Sequence, residues 1–228
     1  MKKTYAIAID GPAGAGKSTI ARRLARELGY CYVDTGAIYR TVGYFMDLWG
    51  VSPKDVDGIR RYIDELTVDI TYDAEGKQHM IMNGMDVTDD IRTPQVSMLA
   101  SAVSAHKIVR DTMLGMQRDM ARKYNVVMDG RDIGTVVLPR ADVKIFLTAS
   151  PEVRARRRCR EMLDKGEKAD FDQVLKQILR RDDQDSHRAV APLKQAEDAV
   201  LLDSSELDID QVVETMKAIV REKIGVCV

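Results

Sequence analysis

Residues 11 to 19 read GPAGAGKST, with residue types and a spacing suited to holding phosphate. Gly11, Gly14 and Gly16 let the backbone approach a ligand and adopt positive φ. With Pro12, Ala13 and Ala15 between them, they shape a nest of backbone N–H groups, which the N-terminus of a following helix would back with its dipole. Lys17 would bridge β- and γ-phosphates. The hydroxyl of Ser18, followed by Thr19, would help coordinate Mg²⁺. Such a loop implies ATP or a related nucleotide but says nothing about what receives the terminal phosphate.

Three receivers make different demands. A GTPase needs a guanine-reading element such as Asn-Lys-x-Asp, which is absent. A kinase for an alcohol needs a carboxylate to take the hydroxyl proton. A kinase for a phosphate needs no base, because a phosphate monoester has its second pKa at about 6 and is already a nucleophile at pH 7. Its difficulty is repulsion between anions, which arginines relieve. The chain offers Arg40 in VDTGAIYR, Arg131 beside Asp132 in MDGRDIGT, Arg154, Arg157 and Arg158 in SPEVRARRRCREMLDKG, and Arg181 and Arg188 in LRRDDQDSHRAVAP. Arg40 and Arg131 fall just after strand ends, where open α/β sheets place ligands. The 150–166 arginines also fit a solvated helix face, and Arg181 with Asp185 also fits a simple i, i+4 pair. His79, His106 and His187 show no triad pattern and read as surface or structural.

The elements that must position these residues alternate. TYAIAID (4–10), YCYVD (30–34), NVVMD (125–129), VKIFLTA (143–149) and AVLLD (199–203) are short apolar runs separated by helical patterns. That order predicts a parallel sheet covered on both faces. Ile20, Leu24 and Leu28 mark an amphipathic helix after the glycine loop, stopped by Gly29. Residues 66–87 break the rhythm: Val68, Ile70, Tyr72, Met80 and Met82 alternate with polar residues around the turn signals DAEGK and NGM, which predicts a small antiparallel insert. Residues 94–123 read as about two helices, 150–188 as a charged helical stretch broken near DKGEKAD, and 208–224 as a last amphipathic helix.

Taken together, IDGPAGAGKST, DTGAIYR, DGRDIGT, VKIFLTAS, RARRR and RRDDQDSHRAVAPL resemble the bacterial cytidylate kinases, a family of P-loop nucleoside monophosphate kinases. The resemblance runs from about Ile7 to the last helix. It implies an α/β fold of the P-loop NTPase type: three layers, a five-stranded parallel sheet, a small antiparallel insert and a helical lid. These would form a single kinase domain over 1–228, with a nucleotide-monophosphate-binding insert at about 66–87 and the lid at about 150–168. It implies transfer of the γ-phosphate of ATP, with Mg²⁺, to CMP or dCMP in pyrimidine nucleotide metabolism, and a monomer. Residues 11–19 would bind ATP. Thr35, Arg40, Arg131 and Arg188 would hold the acceptor phosphate. Ser101, Arg110 and Asp132 would read cytosine, and Arg181 with Asp185 the sugar. Lys17 and the arginines at 131, 154, 157, 158 and 188 would stabilise the transferring group. Asp132 can accept from the exocyclic amino group that uracil lacks. Thr35 stands where many members have Ser.

Composition closes off other classes. A net charge of −1 and only 5% aromatic residues argue against a nucleic-acid partner, so an RNA-associated protein using 154–160 as a basic strip is disfavoured. A kinase for a non-nucleotide acceptor would need a base and tolerate loss of Asp132. No run approaches the roughly 18 apolar residues of a membrane span. Cys31, Cys159 and Cys227 are scattered and odd in number, which suits a reducing cytoplasm.

Overall fold

The computed structural model describes residues 4–225. Within them, five parallel strands form one sheet: β1 (Ala6–Asp10), β2 (Cys31–Asp34), β6 (Val126–Gly130), β7 (Val143–Thr148) and β8 (Val200–Asp203), in the order β2-β6-β1-β7-β8. Each predicted run became a strand, with ends moved by a residue or two. Both faces are buried, as apolar runs without alternation require. On one face Ile7, Ile9 and Val127 pack with Leu24 of α1 (Lys17–Leu28) and Val213 of α8 (Ile209–Ile224). On the other, Ala8, Val33 and Met128 pack with Ile38 and Met46 of α2 (Thr35–Leu48).

The insert is a three-stranded antiparallel sheet: β3 (Val68–Tyr72), β4 (Gln78–Met82) and β5 (Met85–Asp86). Asn83 and Gly84 turn β4 into β5, both with positive φ (48° and 84°), the tight hairpin that an Asn-Gly pair favours. Val68 pairs with Met82, Ile70 with Met80 and Tyr72 with Gln78. This puts the apolar side chains on the face that joins the core around α2.

Helix α3 (Val56–Ile63) is an element beyond the predicted ones: Asp55 caps it, and Ile59 and Ile63 bury one stripe. The two helices expected within 94–123 are α4 (Pro94–Val103) and α5 (Lys107–Lys123). Helix α4 packs closely on α2, because a Cβ on Gly43 would stand 2.9 Å from the amide nitrogen of Ala100. The charged stretch divides near the expected break into α6 (Pro151–Asp164) and α7 (Phe171–His187), joined over a small apolar cluster of Ala155, Val174 and Ile178. Among the described residues no helix is long and apolar enough to cross a membrane. Cys31 and Cys159 are free thiols; Cys227 lies outside the described residues.

Candidate active site

The glycine loop links β1 to α1, and its conformation needs glycine. Gly11 has φ 150°, and a Cβ there would lie 1.9 Å from the carbonyl oxygen of Leu147 in β7. Gly16 caps α1 in the left-handed region, with φ 88°. The first-turn N–H groups of α1 have no partner within the helix, so this end of α1 suits an anion. Lys17 is buried and donates from Nζ to Pro12 O at 2.7 Å. Burial, then the nearby Arg131, pull its pKa well below the usual lysine value, against the opposing pull of Asp129.

Ser18 Oγ donates to Asp129 Oδ2 at 3.0 Å, while the Tyr32 hydroxyl donates to Oδ1 at 2.9 Å. Burial and the neighbouring Asp34 push the Asp129 carboxyl up. Asp10 ends β1 and receives the N–H groups of Ile133 and Gly134 at 2.7 Å each. Burial raises its pKa to about 6 in spite of those two bonds, with Asp132 adding to the rise and Lys17 opposing it. Asp10 therefore ties the start of the phosphate loop to the turn that carries Arg131 and Asp132. Neither Asp10 nor Asp129 was assigned a role from the sequence; the available signal was that several strands end in Asp.

The DGRD turn follows β6 and runs into one π-helical turn, Ile133–Val137. Arg131 Nε donates to Asp185 Oδ2 of α7 at 2.8 Å. Asp132 is buried between two cations: Arg110 Nη2 binds one oxygen, and Arg188 Nη2 lies 3.3 Å from the other. Arg110 also packs over the Tyr39 ring at 5.3 Å and donates to Ser104 O at 3.4 Å. Ser101 of α4 reaches this corner through its carbonyl, which accepts from Ser104 Oγ at 2.9 Å. Of the expected base-reading trio, Arg110 and Asp132 thus meet directly, and Ser101 is linked to them through Ser104.

Arg181 and Asp185 do not form the direct pair that their spacing allowed. Asp185 bonds to Arg131 instead, and Arg181 Nε is buried without a hydrogen-bond partner. Burial lowers the Arg181 pKa to about 10, with Arg131 and Arg40 adding to the fall and Asp185 opposing it. Lys17, Arg40, Arg131, Arg181 and Arg188 thereby surround one region at the carboxyl end of the sheet. Phosphate oxygens are the groups that relieve repulsion among such cations.

Thr35 Oγ1 is buried and donates to Asp129 O at 2.7 Å. A hydroxyl has one proton, so here it braces the start of α2 against β6. Gly130 makes room for it: a Cβ there would lie 2.8 Å from Thr35 Oγ1. Asp34 caps α2 through Ala37 N and holds Arg40 Nη2 at 2.9 Å. The three arginines expected of the lid separate. Arg154 is buried and reaches Ala149 O, the loop carbonyl of Ala13 at 3.0 Å and Asp182 at 2.6 Å. Arg157 grips Ser204 O and Oγ beyond β8. Arg158 is exposed and pairs with Glu161 at 3.2 Å. Of the histidines, His79 bonds to Asp86 and Asp73 on the insert's surface, His106 to Pro53 O, and His187 is exposed beside Asp183, none of them within the cationic region.

A glycine loop before a helix, a buried lysine and a ring of arginines at the carboxyl end of a parallel sheet define a P-loop phosphotransferase. Comparison narrows this. The family model described as cytidylate kinase matches residues 7–222. A cytidylate kinase of Carboxydothermus hydrogenoformans is 50% identical over 217 residues, covering 95% of this chain and 97% of the relative. One of an Exiguobacterium species is 48% identical over 222 residues, covering 97% and 99%. An uncharacterised protein from Eubacterium ventriosum of known structure shares the fold with a TM-score of 0.52 at 13% identity, over 96% of this chain and 99% of the other. The chain belongs to the cytidylate kinase family.

Proposed function

We propose that this chain transfers the γ-phosphate of ATP to CMP or dCMP, giving ADP and CDP or dCDP. The observation that carries this reading is the arrangement around Asp132: a buried carboxylate flanked by Arg110 and Arg188, a short way from the cations that face Lys17. A base-reading carboxylate next to an anion site suits a nucleotide that is itself a phosphate.

Residues 11–19 hold the triphosphate through backbone N–H groups and Lys17. Arg40, Arg131 and Arg188 hold the acceptor phosphate, which is already a nucleophile and needs no base. Thr35 joins them when its hydroxyl turns from Asp129 O. Arg110 donates to the cytosine carbonyl or ring nitrogen, Asp132 accepts from its amino group, and Ser101 completes that pocket. Asp185, held by Arg131, meets the sugar hydroxyls, and Arg181 lies between sugar and phosphate. Catalysis is alignment plus neutralisation of charge on the transferring group, with no covalent intermediate.

The residues present fit Mg²⁺. Ser18 Oγ and the Asp129 carboxylate stand 3.0 Å apart, an oxygen pair suited to a hard cation. When bound, Mg²⁺ would neutralise phosphate charge. Arg154 and Arg157 belong to the α6–α7 pair, which we read as a lid that shields the reaction from water. Core, insert and lid make one kinase domain, and we expect a cytoplasmic monomer that binds neither nucleic acid nor membrane.

The test is ADP release from Mg·ATP with CMP, dCMP, UMP, AMP, GMP or no acceptor. Fast release with CMP and dCMP, slower release with UMP and little otherwise is the expected result. Equal release with and without nucleotide would make water the acceptor and end this reading.

A further inference from the structure

The insert meets the core along the outer edge of β2, which pairs only with β6 among the described strands. The outward-facing N–H and C=O groups of such an edge need partners when covered. Two side chains of the insert supply them. The Tyr72 hydroxyl donates to Tyr32 O at 2.7 Å. Two residues along β2 from Tyr32, Asp34 has both its peptide groups met by Gln78: Oε1 accepts from Asp34 N at 2.8 Å, and Nε2 donates to Asp34 O at 3.4 Å. Gln78 is buried, and it is paired with Tyr72 across the hairpin.

Asp34 is also the residue that aims Arg40. One carboxylate oxygen is fixed on Ala37 N at the start of α2, and the other holds Arg40 Nη2 at 2.9 Å. Arg40 Nε is buried without a hydrogen-bond partner, so the direction of the guanidinium rests on Asp34. Gly36 keeps the space clear, since a Cβ there would lie 3.1 Å from Asp34 Oδ1 and 3.2 Å from Arg40 Nη1.

We propose that Gln78 is a positioning residue for the acceptor: it fixes the Asp34 backbone, and through Asp34 it holds Arg40 in line for the acceptor phosphate. The insert then acts on acceptor binding and not only on stability. A carboxamide suits the place because its oxygen accepts from the Asp34 N–H while its nitrogen, which also donates to Met80 Sδ at 3.1 Å, donates to the Asp34 C=O. The inference rests on the assignment of Arg40 to the acceptor phosphate made above.

The experiment is steady-state kinetics with CMP and ATP varied separately, together with thermal melting. The variants are Arg40→Ala, Gln78→Ala, the double variant and Tyr72→Phe. Arg40→Ala should raise the KM for CMP about tenfold or more, as loss of a buried charge-assisted contact does. Gln78→Ala should raise it about threefold to tenfold with the KM for ATP unchanged. In the double variant the Gln78 effect should vanish, because residues acting through one another are not additive. Tyr72→Phe removes the neighbouring tether and should leave the KM for CMP within about twofold, even if it lowers the melting temperature as much. If Gln78→Ala cannot be obtained folded, Gln78→Glu keeps the volume, loses the donor and should shift the CMP KM in the same direction.

An unchanged CMP KM in Gln78→Ala, or effects that multiply in the double variant, would overturn the proposal and leave Arg40 in place. Equal loss of CMP affinity in Gln78→Ala and Tyr72→Phe would reduce Gln78 to a docking contact. An unchanged CMP KM in Arg40→Ala would remove the acceptor assignment itself and this inference with it.

Discussion

The proposed donor and acceptor sides of this site are built in opposite ways. The donor loop is one contiguous stretch whose binding groups are mostly backbone N–H dipoles, shaped by Gly11, Gly14 and Gly16. The proposed acceptor side draws on β2, α2, α4, α5, the DGRD turn and α7, and its candidate binding groups are charged side chains held by one another. Backbone dipoles need only the right local conformation. A network of buried ion pairs needs every member, because removing one leaves another charged and unpaired.

That difference ranks the effects of substitution. The largest should come from Lys17→Met, the one side-chain charge at the centre of the donor loop. Single-turnover rates should fall by about 10³-fold, as when a preorganised charge is removed from a transition state. Retention of the rate would shift the burden to the backbone alone. Next comes Arg131→Ala, which also strands Asp185. It should lower kcat/KM for CMP by about 10²-fold with a much smaller change in ATP affinity. A loss shared equally between ATP and CMP would blur the division between the two sides.

Asp132→Ala sharpens the comparison differently, because it tests selection and not rate. The preference for CMP over UMP should narrow by about tenfold to a hundredfold. A preference that stays wide would remove Asp132 from base reading.

Asp10 sits where the two sides join, and its test is stability. Its folded pKa of about 6 lies above the ordinary carboxyl value of 3.8. Between pH 4 and pH 6 the folded chain therefore binds more protons at this group than the unfolded chain, and its contribution to stability falls as pH rises through that window. Asp10→Asn lacks this dependence. The stability difference between wild type and Asp10→Asn should thus move in favour of wild type by about 2–3 kcal/mol on going from pH 7 to pH 4. Denaturant melts at the two pH values measure it, and a constant difference would mean that the Asp10 pKa is not raised.

The smallest effect is expected from Arg158→Ala. Its side chain is exposed and pairs only with Glu161 three residues on, so turnover should stay within about twofold and stability within about 0.5 kcal/mol. A turnover loss of about tenfold or more would show that the α6–α7 pair brings Arg158 to the transferring group.

Much of the donor side was legible in the chain as written. The loop, its lysine and hydroxyl, the strand before it and the helix after it are consecutive, so spacing alone specifies them. The five strands and the insert's hairpin were legible for the same local reason: apolar runs, alternation and an Asn-Gly turn. Helix α3 carries only a short local signal, the cap at Asp55 and the stripe of Ile59 and Ile63. For the acceptor side the right residue types stood near strand ends, but their pairing was not legible. Arg181 and Asp185 have ideal helical spacing, yet Arg131, 54 residues away, takes the carboxylate.

The sequence by itself determined the kind of fold, the phosphate-holding loop and membership of a kinase family, because these rest on short-range periodicity and on motifs whose chemistry is contained in consecutive residues. Only the tertiary structure decided which carboxylate holds which arginine, that Asp10 clamps the DGRD turn, that Arg154 braces the loop while Arg158 faces solvent, and that Gln78 seals the β2 edge behind Arg40. Those choices depend on burial and on distances between segments far apart in the chain, and electrostatic pairing in a low-dielectric interior is set by such distances rather than by order along the sequence.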